Sequence, residues 1–419
     1  MKETLLQIAY SQKERLSAKP GLVEREMMAA ARKTLHTDNR ILVITGMRRT
    51  GKSTLLQQLM GEVENYCYFN FEDERLMDLR VEHFGDLEEA LIEVYGPSAY
   101  WFFDEIQNIS NFETAVRRMQ DDGKKIILTG SNASLLSMEF GTKLTGRYKQ
   151  IELFPFSFAE YLNFMKVEFS NKHFYLPESK VMLRNHFSQW MEKGGLPEYL
   201  LYNDLEYVKT LFDNILYRDI IVHYGIRRHR EFRELVQLLV SNLTLPVTYN
   251  SLMKAVGFSN ADTIKEHLAY LGNAYAFYEL FRYNDSLRKQ MANPRKVYVN
   301  DLAFHTLIGF NNSQNLGRRL ENVIYMSLKR KYTDLYSFKG NHECDFVVKD
   351  RQLGNFAIQA CHAVNAENEP REAGGLVEAI QSLNLTYGLI ITFDQEFDLQ
   401  YGGYSITVVP AWKWMLTEQ

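Results

Sequence analysis

Cysteine is scarce: the 419 residues hold three, Cys67, Cys344 and Cys361, widely separated and without a C-x-x-C pair. That excludes a disulfide framework and a zinc ribbon, and points to reduced, buried thiols in a cytoplasmic protein. No apolar run approaches the length of a membrane span, so no membrane partner is expected. The opening MKETLLQIAYSQKERL is too interrupted by charge to form a signal core. Strong charge of one sign is also missing. The net charge is −4, and the whole deficit falls in residues 301–419, so any nucleic-acid binding has to come from local patches. What is present is an ordinary globular composition, 46% hydrophobic and 24% charged, in a chain long enough for about two to four domains.

The most specific stretch is ILVITGMRRTGKSTLLQQLM, Ile41 to Met60. The apolar run Ile41–Ile44 reads as a buried strand, Gly46 to Ser53 fits G-x-x-x-x-G-K-[ST], and Leu55, Leu56 and Leu59 continue as the apolar face of a helix. Glycines let the backbone close around phosphate oxygens, and the helix N-terminus puts partial positive charge on the same anion. Gly46, Met47, Arg48, Arg49, Thr50, Gly51, Lys52, Ser53 and Thr54 are therefore the expected nucleotide-binding set. Lys52 is expected on the β- and γ-phosphates of ATP, and Ser53 on Mg²⁺.

Further acidic and polar residues follow at strand ends. Tyr66–Phe71 is strand-like and runs into Glu72, Asp73 and Glu74, which form either a ligand-facing edge or a solvated acidic loop. Tyr100–Phe103 is an unbroken apolar strand ending in Asp104 and Glu105. That is a Walker B pattern, with Asp104 directed at Mg²⁺ and Glu105 polarising the attacking water. Ile126–Leu128 is another buried strand with Ser131 and Asn132 past its end, and either can sense the γ-phosphate or cap the next helix. Gln150–Leu153 can form a fifth strand. Arg147 just before it is either a finger on a neighbouring subunit's γ-phosphate or a structural ion pair.

Together GMRRTGKST, FNFEDERL, FFDEIQNI, LTGSNASLL, LTGRY and IELFPFSFAEYL resemble a group of prokaryotic AAA-type ATPases. GGLPEYL, YRDI, PRKVYVNDLA, LENVIYMSL and ECDFVV extend the resemblance over most of the chain. It implies a P-loop parallel sheet (ASCE/AAA-type α/β) in which the strand before Ser131 lies between the P-loop and Walker B strands. A helical lid, a winged helix and a small α/β domain related to PD-(D/E)XK nucleases would follow. The expected segments are a helical piece at 1–40 broken at Pro20-Gly21, the ATPase core at 41–155, the lid at 156–230, the winged helix at 231–300 and the nuclease-like domain at 301–419. Arg48 and Arg49 match the family's loop form, and contact phosphate or a neighbouring subunit or are simply paired. Arg218 of YRDI reaches the phosphates from the lid or pairs within it.

TYNSLMKAVGFSNADTIKEHLAYLG reads as helix, tight turn at Gly257 and second helix, with AYAFYELFRY and RKVYVND as the strands of a wing. Thr263, Lys265, His267 and Tyr270 are the outward candidates on the second helix. Arg282, Arg288, Lys289, Arg295 and Lys296 make the wing region basic, which suits phosphate contacts more than base reading.

In the C-terminal domain the resemblance implies a helical Glu, a strand Asp and a Glu-x-Lys around Mg²⁺. Glu321 and Asp345 match, with Glu343 on the same face, but Gln359 and Cys361 stand where Glu and Lys should be. Lys349, of matching parity with Asp345, is the candidate for a migrated lysine. The expected function is ATP binding and hydrolysis with Mg²⁺, coupled to DNA or a protein partner, with a homo-oligomer if Arg147 acts in trans. A nucleotide-gated interaction protein and an ATP-licensed nuclease are the alternatives.

Overall fold

The computed structural model describes residues 1–16, 23–131, 144, 146–308, 316–352 and 354–417. The chain divides into two compact units, Met1–Phe154 with Asn273–Tyr275, and Pro155–Gly272 with Ala276–Gln419.

The first unit is built on five parallel strands, β1 (Ile41–Thr45), β2 (Tyr66–Asn70), β3 (Tyr100–Asp104), β4 (Lys125–Gly130) and β5 (Tyr148–Glu152), in the order β2-β3-β4-β1-β5. β4 thus separates β1 from β3, as the family resemblance implies. Every residue of β1 is buried, as a parallel strand covered on both faces requires. Strand alternation divides the core in two. Ile41, Val43, Trp101 and Phe103 pack with the helices Lys2–Arg15, Phe84–Tyr95 and Phe112–Asp121. Leu42, Ile44, Phe102 and Ile127 pack with the helices Met28–Thr37 and Lys52–Met60. All five C-terminal strand ends therefore open on one edge, which also carries the Gly46–Ser53 loop.

The second unit holds helices from Phe158 onward, with an eight-residue π-helical turn at Ile215–Val222. Three helices, His229–Ser241, Tyr249–Val256 and Ala261–Asn273, precede the antiparallel pair β6 (Phe277–Phe281) and β7 (Arg295–Val299). A six-stranded sheet follows. Its strands are β8 (Leu335–Lys339), β9 (Glu343–Val348), β10 (Phe356–Ala360), β11 (Tyr387–Thr392), β12 (Phe397–Tyr401) and β13 (Tyr404–Pro410), in the order β12-β13-β11-β10-β9-β8. The helix Glu369–Leu383 makes the crossover between the parallel neighbours β10 and β11, as parallel pairing demands.

Two sequence motifs of this unit prove to be one packing device. Gly194 has φ +80°, and a Cβ there would lie 1.8 Å from Asp301 Oδ1. The buried Asp301 carboxylate accepts from the Gly195 amide at 2.7 Å and the Ala303 amide at 2.8 Å. GGLPEYL and VYVNDLA therefore interlock through the Asp301 carboxylate and the Gly195 amide, which is a structural role for both.

Among the described residues no helix is long and apolar enough to cross a membrane.

Candidate nucleotide site

The loop from Gly46 to Ser53 leaves β1 and enters the helix Lys52–Met60 at Gly51. Gly46 has φ +139°, and a Cβ there would fall 2.2 Å from the Leu153 carbonyl oxygen, so only glycine lets the loop start beside β5. Met47 and Thr50 are fully buried, and the Thr50 hydroxyl donates to the Met47 carbonyl at 2.9 Å. The loop is therefore held from inside. Arg25, 4% exposed, holds it from behind, donating to the Thr50 carbonyl at 2.7 Å and to the Phe154 carbonyl. Arg48 pairs with Glu72 at 3.2 Å, so the acidic end of β2 does lie beside the loop. Arg49 sits at φ +67°.

Lys52 is 4% exposed and donates to the Met47 carbonyl at 3.2 Å, with its ammonium 3.5 Å from Glu105. Asp104 is fully buried at the end of β3. Its carboxylate accepts from Thr129 Oγ1, from Asn70 Nδ2 at 3.0 Å and from the Tyr68 hydroxyl at 3.4 Å, and the Ser53 hydroxyl lies near enough to favour its ionised form. Burial raises the Asp104 carboxyl above its ordinary range, against the hydroxyls of Thr129 and Ser53 and the Lys52 charge. Burial also pushes on Glu105, but the Lys52 ammonium, the Gln107 amide, Arg48 and Ser131 prevail and hold its carboxyl below the ordinary range. Two carboxyls in adjacent positions are thus driven apart, the pattern expected where they have different roles. Glu105 itself has φ +53°, a left-handed backbone that costs energy in a non-glycine residue and recurs at active sites. Its amide donates to Thr129 Oγ1 at 2.9 Å. Thr129 therefore braces both acidic residues.

The structure brings Lys52, Ser53, Asp104, Glu105 and Ser131 together. Ser131 is buried and accepts from Gln107 Nε2 at 3.2 Å. Asn132 lies outside the described residues. Arg147 is not at this site. It precedes β5 and pairs with Asp121, at the N-terminal strand edge opposite the loop, in a groove with Arg40, Lys124 and Lys125. Arg218 lies exposed in the second unit, within the π-helical turn.

Sequence reasoning missed Thr129, Gln107, Asn70, Tyr68 and Arg25. Thr129 and Asn70 gave a usable signal, as polar residues at the C-terminal ends of apolar strands. Arg25 gave none, because its partners are backbone carbonyls distant in sequence. The Ser53 hydroxyl and Asp104 carboxylate together suit a hard divalent cation that takes oxygen ligands.

Three expectations for the second unit are corrected. His267 does not face outward: it is 5% exposed and packs against Phe232 and Phe258, because the apolar stripe of its helix includes that position. Arg295 and Lys296 are 3% and 4% exposed and point inward to carboxylates, so they do not contribute to a basic outer wing. Lys349 donates to the Tyr283 hydroxyl at 2.9 Å and does not pair with Asp345. It is Lys296 that contacts Asp345, at 2.7 Å.

Residues 38–162 match the family model described as AAA domain, and residues 184–314 match a domain of unknown function (DUF8612). The chain is 31% identical over 402 residues to an uncharacterized protein of Methanocaldococcus jannaschii, spanning 90% of this chain and 89% of that one. An uncharacterized protein of Haemophilus influenzae is 26% identical over 326 residues, 74% of this chain and 79% of that one. Among solved structures, the Orc1 protein of Aeropyrum pernix in complex with DNA superposes over 69% of this chain and 93% of that one, at 11% identity and a TM-score of 0.30. That likeness is too slight to bear on the task of this chain. Residues 38–162 are an AAA-type P-loop domain, on the sequence match and on the strand–loop–helix geometry above.

Proposed function

The chain belongs to the same protein family as its 31%-identical Methanocaldococcus jannaschii relative, and from that premise we propose that its AAA domain binds ATP with Mg²⁺ and hydrolyses it. The observation that carries this reading is the convergence of Lys52, Ser53, Asp104 and Glu105 on the strand edge beside the Gly46–Ser53 loop. Mg²⁺, when bound, neutralises charge on the β- and γ-phosphates. Ser53 and Asp104 are the residues that would hold it. Lys52 binds the phosphates, and a phosphate that draws the ammonium away leaves Glu105 held by Gln107 and Ser131. Glu105 then orients the attacking water and takes its proton, aided by a carboxyl that is ionised at neutral pH. Ser131, which accepts from Gln107 Nε2 at 3.2 Å, would help hold Gln107 and Glu105 toward the same water. Arg147, at the opposite strand edge, acts only on a neighbouring copy, in which case turnover per subunit rises with protein concentration and Arg147→Ala abolishes that rise.

The second unit would carry the output, through the three-helix and β6–β7 segment read as a winged helix. Burial of Arg295 and Lys296 leaves Arg288 and Lys289 as the exposed cations of that wing, which favours a protein partner over DNA. Calorimetric titration with ATP and Mg²⁺, followed by turnover with and without duplex and single-stranded DNA, tests both statements. No ATP binding would overturn the first, and turnover stimulated severalfold by DNA would overturn the preference for a protein.

A further inference from the structure

A second cluster of ionisable groups lies in the second unit, and the nucleotide chemistry does not use it. Lys296 projects from β7 with its Nζ 2.9 Å from Glu321 Oε1, 2.7 Å from Glu343 Oε1 and 2.7 Å from Asp345 Oδ1. Glu321 comes from the helix Leu316–Lys329, and the other two from β9. Part of the remaining capacity is also committed. Glu321 Oε1 accepts from the Tyr298 hydroxyl at 2.9 Å, and Asp345 Oδ2 accepts from the Ala360 amide at 3.0 Å. Gln359 Oε1 accepts from the Asp345 amide at 3.1 Å, while its Nε2 donates to Glu372 Oε2 at 2.6 Å. Arg371 pairs with Glu372. The lysine, its three carboxylate partners, Gln359 and Glu372 help line a cavity of about 500 Å³.

The nuclease resemblance implies a divalent cation between Glu321 and Asp345, and the residues present do not fit one. Mg²⁺ or Ca²⁺ takes oxygen ligands at roughly 2.0–2.6 Å, and a metal bridging these two carboxylates would overlap the nitrogen that already touches both. The side chain is 5% exposed, so the ammonium is enclosed among the carboxylates. Cys361, at the position where the resemblance implies a lysine, offers no replacement charge, since a thiol cannot stand in for an ammonium. Among the described residues no group of three or more His, Cys, Asp or Glu is arranged to hold a metal ion.

We propose that the Lys296 ammonium is the built-in cation of this cluster, standing where a divalent metal would bridge Glu321 and Asp345. The wild-type chain therefore takes no metal there and has no metal-dependent phosphodiesterase activity. The lysine belongs to the two-stranded β6–β7 sheet and its partners to the helix Leu316–Lys329 and the six-stranded sheet, so the pairing also binds these elements together.

The test is titration of the full-length chain with Mn²⁺ in the absence of nucleotide, with free Mn²⁺ read by electron paramagnetic resonance. Asp345→Asn serves as the reference. Wild type and Asp345→Asn should give the same isotherm, and neither should cut duplex DNA when Mn²⁺ is added. Lys296→Met should gain one Mn²⁺ site per chain, at least about tenfold tighter than anything in the wild type, and lose it again in the Lys296→Met/Asp345→Asn pair. A saturable wild-type site that Asp345→Asn removes, or Mn²⁺-dependent cutting that it abolishes, overturns the proposal. So does a folded Lys296→Met that gains no site. Should Lys296→Met fail to fold, the comparison of wild type with Asp345→Asn decides alone.

Discussion

The Lys52 ammonium and the Glu105 carboxylate face each other at 3.5 Å, with 3% and 10% of their side chains exposed. Neither charge has much water to fall back on, so each relies on the other, on its hydrogen-bond partners or on a ligand. Removing one partner of a buried pair costs about 3–5 kcal/mol, because the remaining charge is left uncompensated. Lys52→Ala should therefore lose ATP binding and also lose stability of that order. Lys52→Ala/Glu105→Gln should recover most of the stability and none of the ATP binding. Denaturant titration of the four members of that cycle checks the coupling.

Thr129 accepts from the Glu105 amide and donates to Asp104. Thr129→Val keeps the shape and strands both groups, at a cost of about 1–3 kcal/mol for the unsatisfied polar atoms. Turnover should fall more than ATP affinity, since Glu105 loses its orientation. Thr129→Ser should restore both, and steady-state kinetics on the two variants separate the effects.

Arg25 holds the loop through the Thr50 and Phe154 carbonyls. Arg25→Leu removes the donor these two carbonyls share, again roughly 1–3 kcal/mol, and loosens the loop. The expected result is a raised KM for ATP with a smaller change in kcat, together with a lower thermal midpoint.

How much of this was readable beforehand depends on which residue carried the signal. Gly46, Lys52, Ser53, Asp104 and Glu105 were legible because a phosphate loop and a strand-end acid pair are local patterns with fixed spacing. The strands themselves were legible as apolar runs, while the position of β4 between β1 and β3 came from the family resemblance. Thr129 and Arg25 were not legible as site residues, because their partners are fixed by the fold and not by spacing. Lys296 was misread for a related reason. In sequence it is one of several basic residues near the wing, and only tertiary packing turns it onto Glu321 and Asp345. Its neighbour Arg295 likewise turns inward and pairs with Glu279 at 3.3 Å.

His267 gives a pH prediction. Burial against Phe232 and Phe258 lowers its pKa to about 4 from an ordinary 6.5. Below pH 6.5 the unfolded chain takes up a proton there that the folded chain refuses until about pH 4, so the unfolded state binds more protons. This group's contribution to stability is therefore lost as pH falls through that window. His267→Phe should show a shallower decline of the denaturation midpoint between pH 7 and pH 4 than the wild type. Parallel curves would contradict the assignment.

The central claim, that Glu105 is the base of an ATP-hydrolysing site, is tested most directly by Glu105→Gln. Calorimetric ATP affinity and steady-state phosphate release should be measured on the same preparation. The account predicts affinity within a few-fold of wild type and turnover lower by about 10²–10⁴, the usual contribution of a positioned base. Turnover unchanged by Glu105→Gln would contradict it.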